Sequence, residues 1–277
     1  MLNKTNISLK LLFLPLLKNL LVLLLLSKTT IAAENNTDSS LLFIASSTNE
    51  VIKEVTEQWI SDNIKHNFRL SAASSGALAK QIITGAPVNI FISASKDWII
   101  ELEEKRLLKS NSIQEIFGNK LVLITHINNK YKKLGLIENE SLITEFLKEN
   151  LKISRLSIAD NSHVPAGIYT QQALKNLGLW NDLYPQKLAF AGDVRKALKF
   201  VSTGASPLGI VYYSDTLLEP EIKIIGTFSE KLHSPIRYWA AMTSNSNNPI
   251  AENFFKFLIS TKAQKIYSKY GFINLKR

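Results

Sequence analysis

The chain contains no cysteine, so it has neither a disulfide framework nor a thiol for lipid attachment. A chain of this size does not need disulfides to hold a core, so their absence does not by itself assign a reducing compartment. Histidine is scarce: His66, His126, His163 and His233 are scattered, with none of the spacings that build a metal centre. The phosphate-cradling loops G-x-G-x-x-G and G-x-x-x-x-G-K-[ST] are missing, as is the G-x-S-x-G turn that presents a nucleophilic serine. No pair of carboxylates stands out as acid and base. With no nucleophile and base to start from, the sequence points away from an enzyme, and no catalytic residue, metal ligand or cofactor is assigned.

A basic excess is present, with 33 Lys and Arg against 23 Asp and Glu, a formal net charge of +10. Part of it belongs to a targeting segment over residues 1–33. Lys4 and Lys10 supply a positive start, Leu20 to Leu26 is an unbroken apolar run, and Thr29-Thr30-Ile31-Ala32-Ala33 is a small-residue cleavage zone. The alternative is an uncleaved anchor, but Pro15, Lys18 and Asn19 interrupt the apolar stretch short of the ~20 residues that a membrane span requires. A secreted or periplasmic protein is expected, cut after Ala32 or Ala33. Removing the leader and its four lysines leaves 244 residues from Glu34 and a charge of about +6, compatible with one large domain or two small ones. Lys130-Tyr131-Lys132-Lys133 is the only notable basic cluster. Nucleic acid binding would need a basic stripe interleaved with stacking aromatics, so no nucleic-acid partner is expected.

Strand and helix patterns alternate along the mature chain. The apolar run Leu41 to Ala45 reads as a buried strand, and Val51, Ile52, Val55 and Trp59 follow at helical spacing. Phe68 to Ala72 leads through Ser74-Ser75-Gly76 into a helix over Ala77 to Thr84, and Val88 to Ile92 leads through Ser93-Ala94-Ser95 into another near Trp98 and Leu102. A second block starts near Asn119. It has strands over Lys120–Thr125, Arg155–Ala159, Leu188–Phe190, Leu208–Tyr212 and Ile222–Ile225, with helices over Ser141–Glu149, Pro165–Leu177 and Val194–Ser202. A strand over Tyr238–Met242 and helices over Glu252–Ile259 and Ala263–Tyr270 close the chain. The alternation predicts an α/β fold with mostly parallel sheets.

One device recurs: an apolar strand ends in small or serine-rich residues and a helix begins at once. Ser46-Ser47-Thr48, Ser74-Ser75-Gly76, Pro165-Ala166-Gly167 and Gly192-Asp193-Val194 are four instances. Helix starts carry unpaired N–H groups and a fractional positive charge, so they favour anions. In open α/β sheets ligands lie beyond the carboxyl ends of strands, where these turns occur. The plainer account is that Ser and Thr cap their helices, each worth ~1 kcal/mol. On that account Asp193 is a cap, His163 is a turn residue holding backbone groups, and Tyr212 is a core aromatic with its hydroxyl satisfied. Composition and spacing alone reach an α/β binding protein.

The motifs Ala45-Ser46-Ser47-Thr48-Asn49, Ala73 to Ile82, Gly85 to Ala94, His163 to Tyr169, Asp193 to Leu198, Pro207 to Tyr212 and Lys269-Tyr270-Gly271-Phe272 resemble, in order, those of the periplasmic molybdate-binding proteins that feed an ATP-binding-cassette importer. The resemblance runs from Leu42 to Phe272. It implies a two-lobed, type II periplasmic-binding-protein-like fold, with mixed, mostly parallel sheets flanked by helices and a hinge of crossing strands. One lobe would be 34–118 plus 238–277, the other 119–237. It implies five oxyanion contacts: hydroxyl and N–H of Ser46 and Ser75, the N–H of Ala166 and of Val194, and the phenol of Tyr212. The ligand would be molybdate or tungstate, the partner a membrane permease, and the protein a monomer. Departures from the family pattern fall at Ser47, usually larger and apolar; at Asn89, Ser95 and Gly192, usually acids; and at Trp239, usually Pro.

A site made only of donors suits a fully deprotonated oxyanion. Phosphate carries a proton near neutral pH, and burying it without an acceptor costs roughly 1–3 kcal/mol. Sulfate has the right charge but is smaller. A sulfate-binding protein and, from another class, a serine hydrolase built on Ser46 or Ser75 with a nearby His are the alternatives.

Overall fold

β-Branched and aromatic residues at the centre of each short apolar run put the chain into strands, and the polar or small residues that follow turn it into helices. The computed structural model describes residues 39–183 and 185–275; the targeting segment and its cleavage zone lie outside the described residues. Strand β1 (Ser39–Ala45) passes through a single 3-10 turn (Ser46–Thr48) into helix α1 (Asn49–Asp62). Strand β2 (Asn67–Ala73) feeds α2 (Ser75–Ile83), and β3 (Ile90–Ser93) feeds α3 (Lys96–Glu104). Strand β4 (Gln114–Gly118) then leads directly to β5 (Leu121–His126). Next come β6 (Gly135–Ile137), α4 (Thr144–Asn150), β7 (Leu156–Ala159), α5 (Pro165–Asn176), α6 (Trp180–Leu183), β8 (Leu188–Ala191) and α7 (Val194–Ser202). The chain continues through β9 (Leu208–Tyr212), α8 (Tyr213–Thr216), β10 (Ile222–Phe228), β11 (Arg237–Met242), α9 (Pro249–Leu258) and α10 (Thr261–Lys269).

These strands form two sheets, ordered β2-β1-β3-β11-β4 and β6-β10-β5-β9-β7-β8. β1 is parallel to β2 and β3, and β7 is parallel to β8 and β9. β11 runs antiparallel to β3 and β4, and β5 antiparallel to β9 and β10; β6 and β10 are parallel. Both sheets are therefore mixed, with five parallel ladders against four antiparallel ones. In the parallel groups β1-β2-β3 and β7-β8-β9 every strand delivers its carboxyl end to a helix start. Strands buried on both faces explain the continuous apolar runs. All four residues of β3 and all five of β9 are buried.

The chain passes between the sheets twice. It leaves on Asn119-Lys120, between β4 and β5, and returns on the segment that enters β11. The two crossings touch: Gly118 pairs in register with Arg237, and Asn119 N donates to Ile236 O at 3.2 Å. An aromatic cluster backs them, with the Phe117 ring centred 4.8 Å from Tyr238, 4.5 Å from Tyr267 and 4.4 Å from Phe272. Such pairs contribute about 0.5–1.5 kcal/mol each beyond their buried area.

Two strands escaped the sequence reading. β4 has only Ile116 and Phe117 as apolar side chains among polar residues, and β6 has three residues, too few for a period to show. The helix expected over Ser141–Glu149 divides into a 3-10 turn (Glu140–Leu142) and α4. The strand expected over Ile222–Ile225 runs on to Phe228 through an irregularity between Ile224 and Gly226.

Candidate oxyanion-binding site

Four helix starts from the two sheets meet at one small cavity. Ala45, Ser46 and Ser47 enter it from the end of β1; Ala73, Ser74 and Ser75 from the end of β2; Val164, Pro165 and Ala166 from the start of α5; Val194 from the start of α7; and Tyr212 from the end of β9. The five residues that the resemblance singled out, Ser46, Ser75, Ala166, Val194 and Tyr212, all line it. Two starts have side-chain caps: the Ser74 hydroxyl accepts from Ala77 N at 3.3 Å, and the Asp193 carboxylate accepts from Lys196 N at 2.9 Å. Those caps engage the third residue of each helix and leave the first two N–H groups, those of Ser75 and Gly76 and of Val194 and Arg195, without an intrahelical partner. The other two starts, after Ala45 and Val164, have no side-chain cap at all. Pro165 has no N–H, so Ala166 and Gly167 supply the donors of the first turn of α5. Gly167 makes that approach possible, because a Cβ there would lie 2.3 Å from Ala159 O at the end of β7.

The side chains supply further donors. Ser75 Oγ accepts from Ala94 N at 3.0 Å, which leaves its own proton to donate elsewhere. The Tyr212 hydroxyl is fully buried and has no hydrogen-bond partner among the described residues. This corrects the reading of Tyr212 as a core aromatic with a satisfied hydroxyl. An unpartnered buried hydroxyl costs about 1–3 kcal/mol, so its placement needs a reason. Burial pushes the Tyr212 phenol well above its ordinary range, aided by Tyr238, Tyr169 and Asp215, so at neutral pH it keeps its proton and has it available to donate to an anion.

Among the described residues no charged side chain lines the cavity. Asp193, next to Val194, is held by Lys196, with N at 2.9 Å and Nζ at 3.1 Å, and acts as the expected cap. Arg195 turns away from the cavity toward Glu50 Oε2 at 2.5 Å and Asp215 Oδ1 at 2.8 Å. Contrary to the expectation from sequence, the His163 ring engages side chains rather than backbone groups. Its Nδ1 lies 2.9 Å from Ser162 Oγ and 3.6 Å from Asp160 Oδ1. Among the described residues no group of three His, Asp or Glu side chains is placed to hold a metal ion. The cavity is small, with about 10 Å³ of open space, too little for a sugar or peptide.

Residues 41–273 match the family model of bacterial extracellular solute-binding proteins. This chain belongs to that family. It is 35% identical over 230 residues to the molybdate-binding protein ModA of Haemophilus influenzae, covering 83% of this chain and 88% of the relative. The identity to ModA of Escherichia coli is also 35% over 230 residues, covering 83% of this chain and 87% of that one. In fold it is similar to the periplasmic molybdate-binding protein of Azotobacter vinelandii, with a TM-score of 0.73 and 23% identity, over 86% of this chain and 100% of the other. The architecture is the two-sheet α/β fold of the type II periplasmic binding proteins.

For a solute-binding protein the chemistry of the cavity is restrictive. It presents hydroxyl and amide protons, and the carboxylate of Asp193, beside Val194, is engaged as a helix cap. The residues that sequence reasoning did not connect to the site are Ala94, which orients Ser75, and the pair Tyr238 and Asn119 behind Ser47. Ser47 Oγ lies 2.7 Å from Tyr238 Oη, and Tyr238 Oη lies 3.3 Å from Asn119 Nδ2. Nothing in their spacing announces this, since the three residues are 72 and 119 positions apart in the chain.

Proposed function

We propose that this solute-binding protein captures molybdate, or its congener tungstate, in the cavity between the two sheets and delivers it to the membrane permease of an ABC importer. The observation that carries this reading is the convergence of four helix starts and the unpartnered Tyr212 hydroxyl on one small cavity with no charged lining residue. The contacts would be Ser46 and Ser75 through hydroxyl and N–H, Ala166 and Val194 through N–H, and Tyr212 through its phenol. A tetrahedral dianion saturates such donors without bringing a proton that needs an acceptor. The ModA relatives named above support the same assignment.

The two sheets with their helices would act as lobes, 34–118 plus 238–277 and 119–237, closing on the ligand about the crossings at Asn119 and Arg237. The protein would work as a monomer outside the cytoplasm, exported by its leader, with binding rather than catalysis as its activity. Among the described residues no helix is long and apolar enough to cross a membrane.

Thermal unfolding of the purified protein against molybdate, tungstate, sulfate and phosphate tests the reading. Stabilisation grows as RT ln(1 + [L]/Kd), about 2.7 kcal/mol at a hundredfold excess over Kd. For a chain of this size that is a rise in midpoint of about 5–10 °C. Molybdate and tungstate should each produce it and phosphate should not. A response to sulfate with none to molybdate would replace the assignment with that of a sulfate-binding protein.

A further inference from the structure

We propose that the Ser47 hydroxyl is a further donor to the bound oxyanion, oriented for that task by Tyr238 and Asn119 at the crossings between the sheets. This rests on the oxyanion reading of the cavity. Asn119 Oδ1 accepts from Lys120 N at 2.9 Å and from Ser214 N at 3.3 Å, and these two donors fix which end of the amide is which. Asn119 Nδ2 therefore faces Ser214 Oγ at 2.8 Å and Tyr238 Oη at 3.3 Å, and it can only donate. Tyr238 Oη accepts that bond, so its own proton goes to its other neighbour, Ser47 Oγ, at 2.7 Å. Ser47 Oγ is thus an acceptor toward Tyr238, and its proton is unspent.

The place where that proton can go is the cavity. Ser47 is only 4% exposed and lines the same space as Ser46, Ser75 and the unpartnered Tyr212 hydroxyl. Its N–H is the second of the 3-10 turn after β1 and has no partner within that turn. A guest oxygen near this turn would receive the Ser47 proton in addition to those of Ser46. The relay Asn119–Tyr238–Ser47 passes its donors in one direction and leaves the Ser47 proton for the cavity. Because Asn119 and Tyr238 belong to the two crossings, the direction of the Ser47 hydroxyl is set where the lobes would pivot.

Isothermal titration with molybdate of wild type, Ser47→Ala and Ser75→Ala measures this. One hydrogen bond to a charged guest corresponds to an affinity loss of about tenfold or more. Ser47→Ala should lose that much, and Ser75→Ala should also weaken. Wild-type affinity in Ser47→Ala beside a weakened Ser75→Ala would overturn the role of Ser47 and leave the cavity assignment standing. Wild-type affinity in both would remove the oxyanion reading itself and this inference with it. Removing Ser47 alone leaves the Tyr238 hydroxyl without its acceptor and can impair folding. The pair Tyr238→Phe and Tyr238→Phe/Ser47→Ala avoids that. The double variant should bind about tenfold or more weaker than Tyr238→Phe, and equal affinity would defeat the proposal.

Discussion

Arg195 Nη2 lies 2.5 Å from Glu50 Oε2, and the two residues belong to opposite sheets. Glu50 is in the first turn of α1, just past Ser46; Arg195 follows Val194 at the start of α7. The pair therefore ties together two of the turns that frame the cavity. The fully buried Asp215, 2.8 Å from Arg195 Nε, holds the guanidinium from the side of the second sheet. With the proposed closure of the lobes on the ligand, this pair would form only in the closed state, so it should act on release of the ligand rather than on its capture.

Glu50→Gln should therefore raise the dissociation rate of molybdate and leave the association rate nearly unchanged. With Arg195 24% and Glu50 42% exposed, solvent screens the pair, and its contribution is held to roughly 1 kcal/mol or less. The expected change is about two- to fivefold in dissociation rate, shrinking as salt is added. Stopped-flow displacement at two ionic strengths measures it. An unchanged rate at low salt would show that the pair holds nothing closed.

Tyr212→Phe separates binding from stability. The hydroxyl has no partner in the protein, so its removal should leave the ligand-free protein as stable as before or make it more stable. Under the proposed contacts the same change deletes a donor to the guest, and molybdate affinity should fall about tenfold or more. Denaturant unfolding without ligand, paired with titration calorimetry, reads both. A destabilised variant with full affinity would mean that the hydroxyl serves the core.

The sequence carried the site's backbone more plainly than its side-chain wiring. Ser46, Ser75, Ala166 and Val194 sit at strand-to-helix junctions, and such junctions show in one dimension as apolar runs that break into small residues. β9 was legible as Leu208–Tyr212 for the same reason. The links through Ser47, Tyr238 and Asn119, and through Arg195, Glu50 and Asp215, were not legible. They join residues from distant segments that only the pairing of β4 with β11, and the approach of α1 to α7, bring together. The unmet hydroxyl of Tyr212 was invisible for a related reason, since satisfaction of a polar atom depends on neighbours that no local pattern reveals.

Gly76 marks how closely the two halves approach. A Cβ there would lie 2.4 Å from the carbonyl oxygen of His163, on the far side of the cleft, and 2.6 Å from the Trp98 ring. The ring can shift, but the backbone carbonyl cannot without moving the loop that starts α5. Gly76 is an ordinary helical residue in α2, so alanine suits its backbone. Gly76→Ala should leave the ligand-free protein folded while obstructing the proposed closure, and should weaken molybdate binding by about fivefold or more, the effect of a buried steric conflict of about 1–3 kcal/mol. Small-angle scattering should show less compaction on adding molybdate than in wild type. Normal compaction with normal affinity would mean the cleft closes without this contact.

Asp215 gives the stability a pH signature of its own. Burial pushes its carboxyl up to about 7, against the opposing pull of the Arg195 guanidinium, while Glu50 and Asp193 push it further up. In the unfolded chain the same carboxyl ionises near its ordinary 3.8. Between these values the folded protein holds a proton that the unfolded chain has released, so stability falls as pH rises from about 4 to about 7. His233 acts in the opposite direction, because burial lowers its pKa and the folded protein then binds protons less readily than the unfolded chain. The contribution of Asp215 is therefore isolated by difference. The stability of wild type minus that of Asp215→Asn should decline across pH 4–7 and level off above it. Chemical unfolding at half-unit pH steps measures that difference, and a flat or rising curve would show that Asp215 is ionised in the folded protein throughout the range.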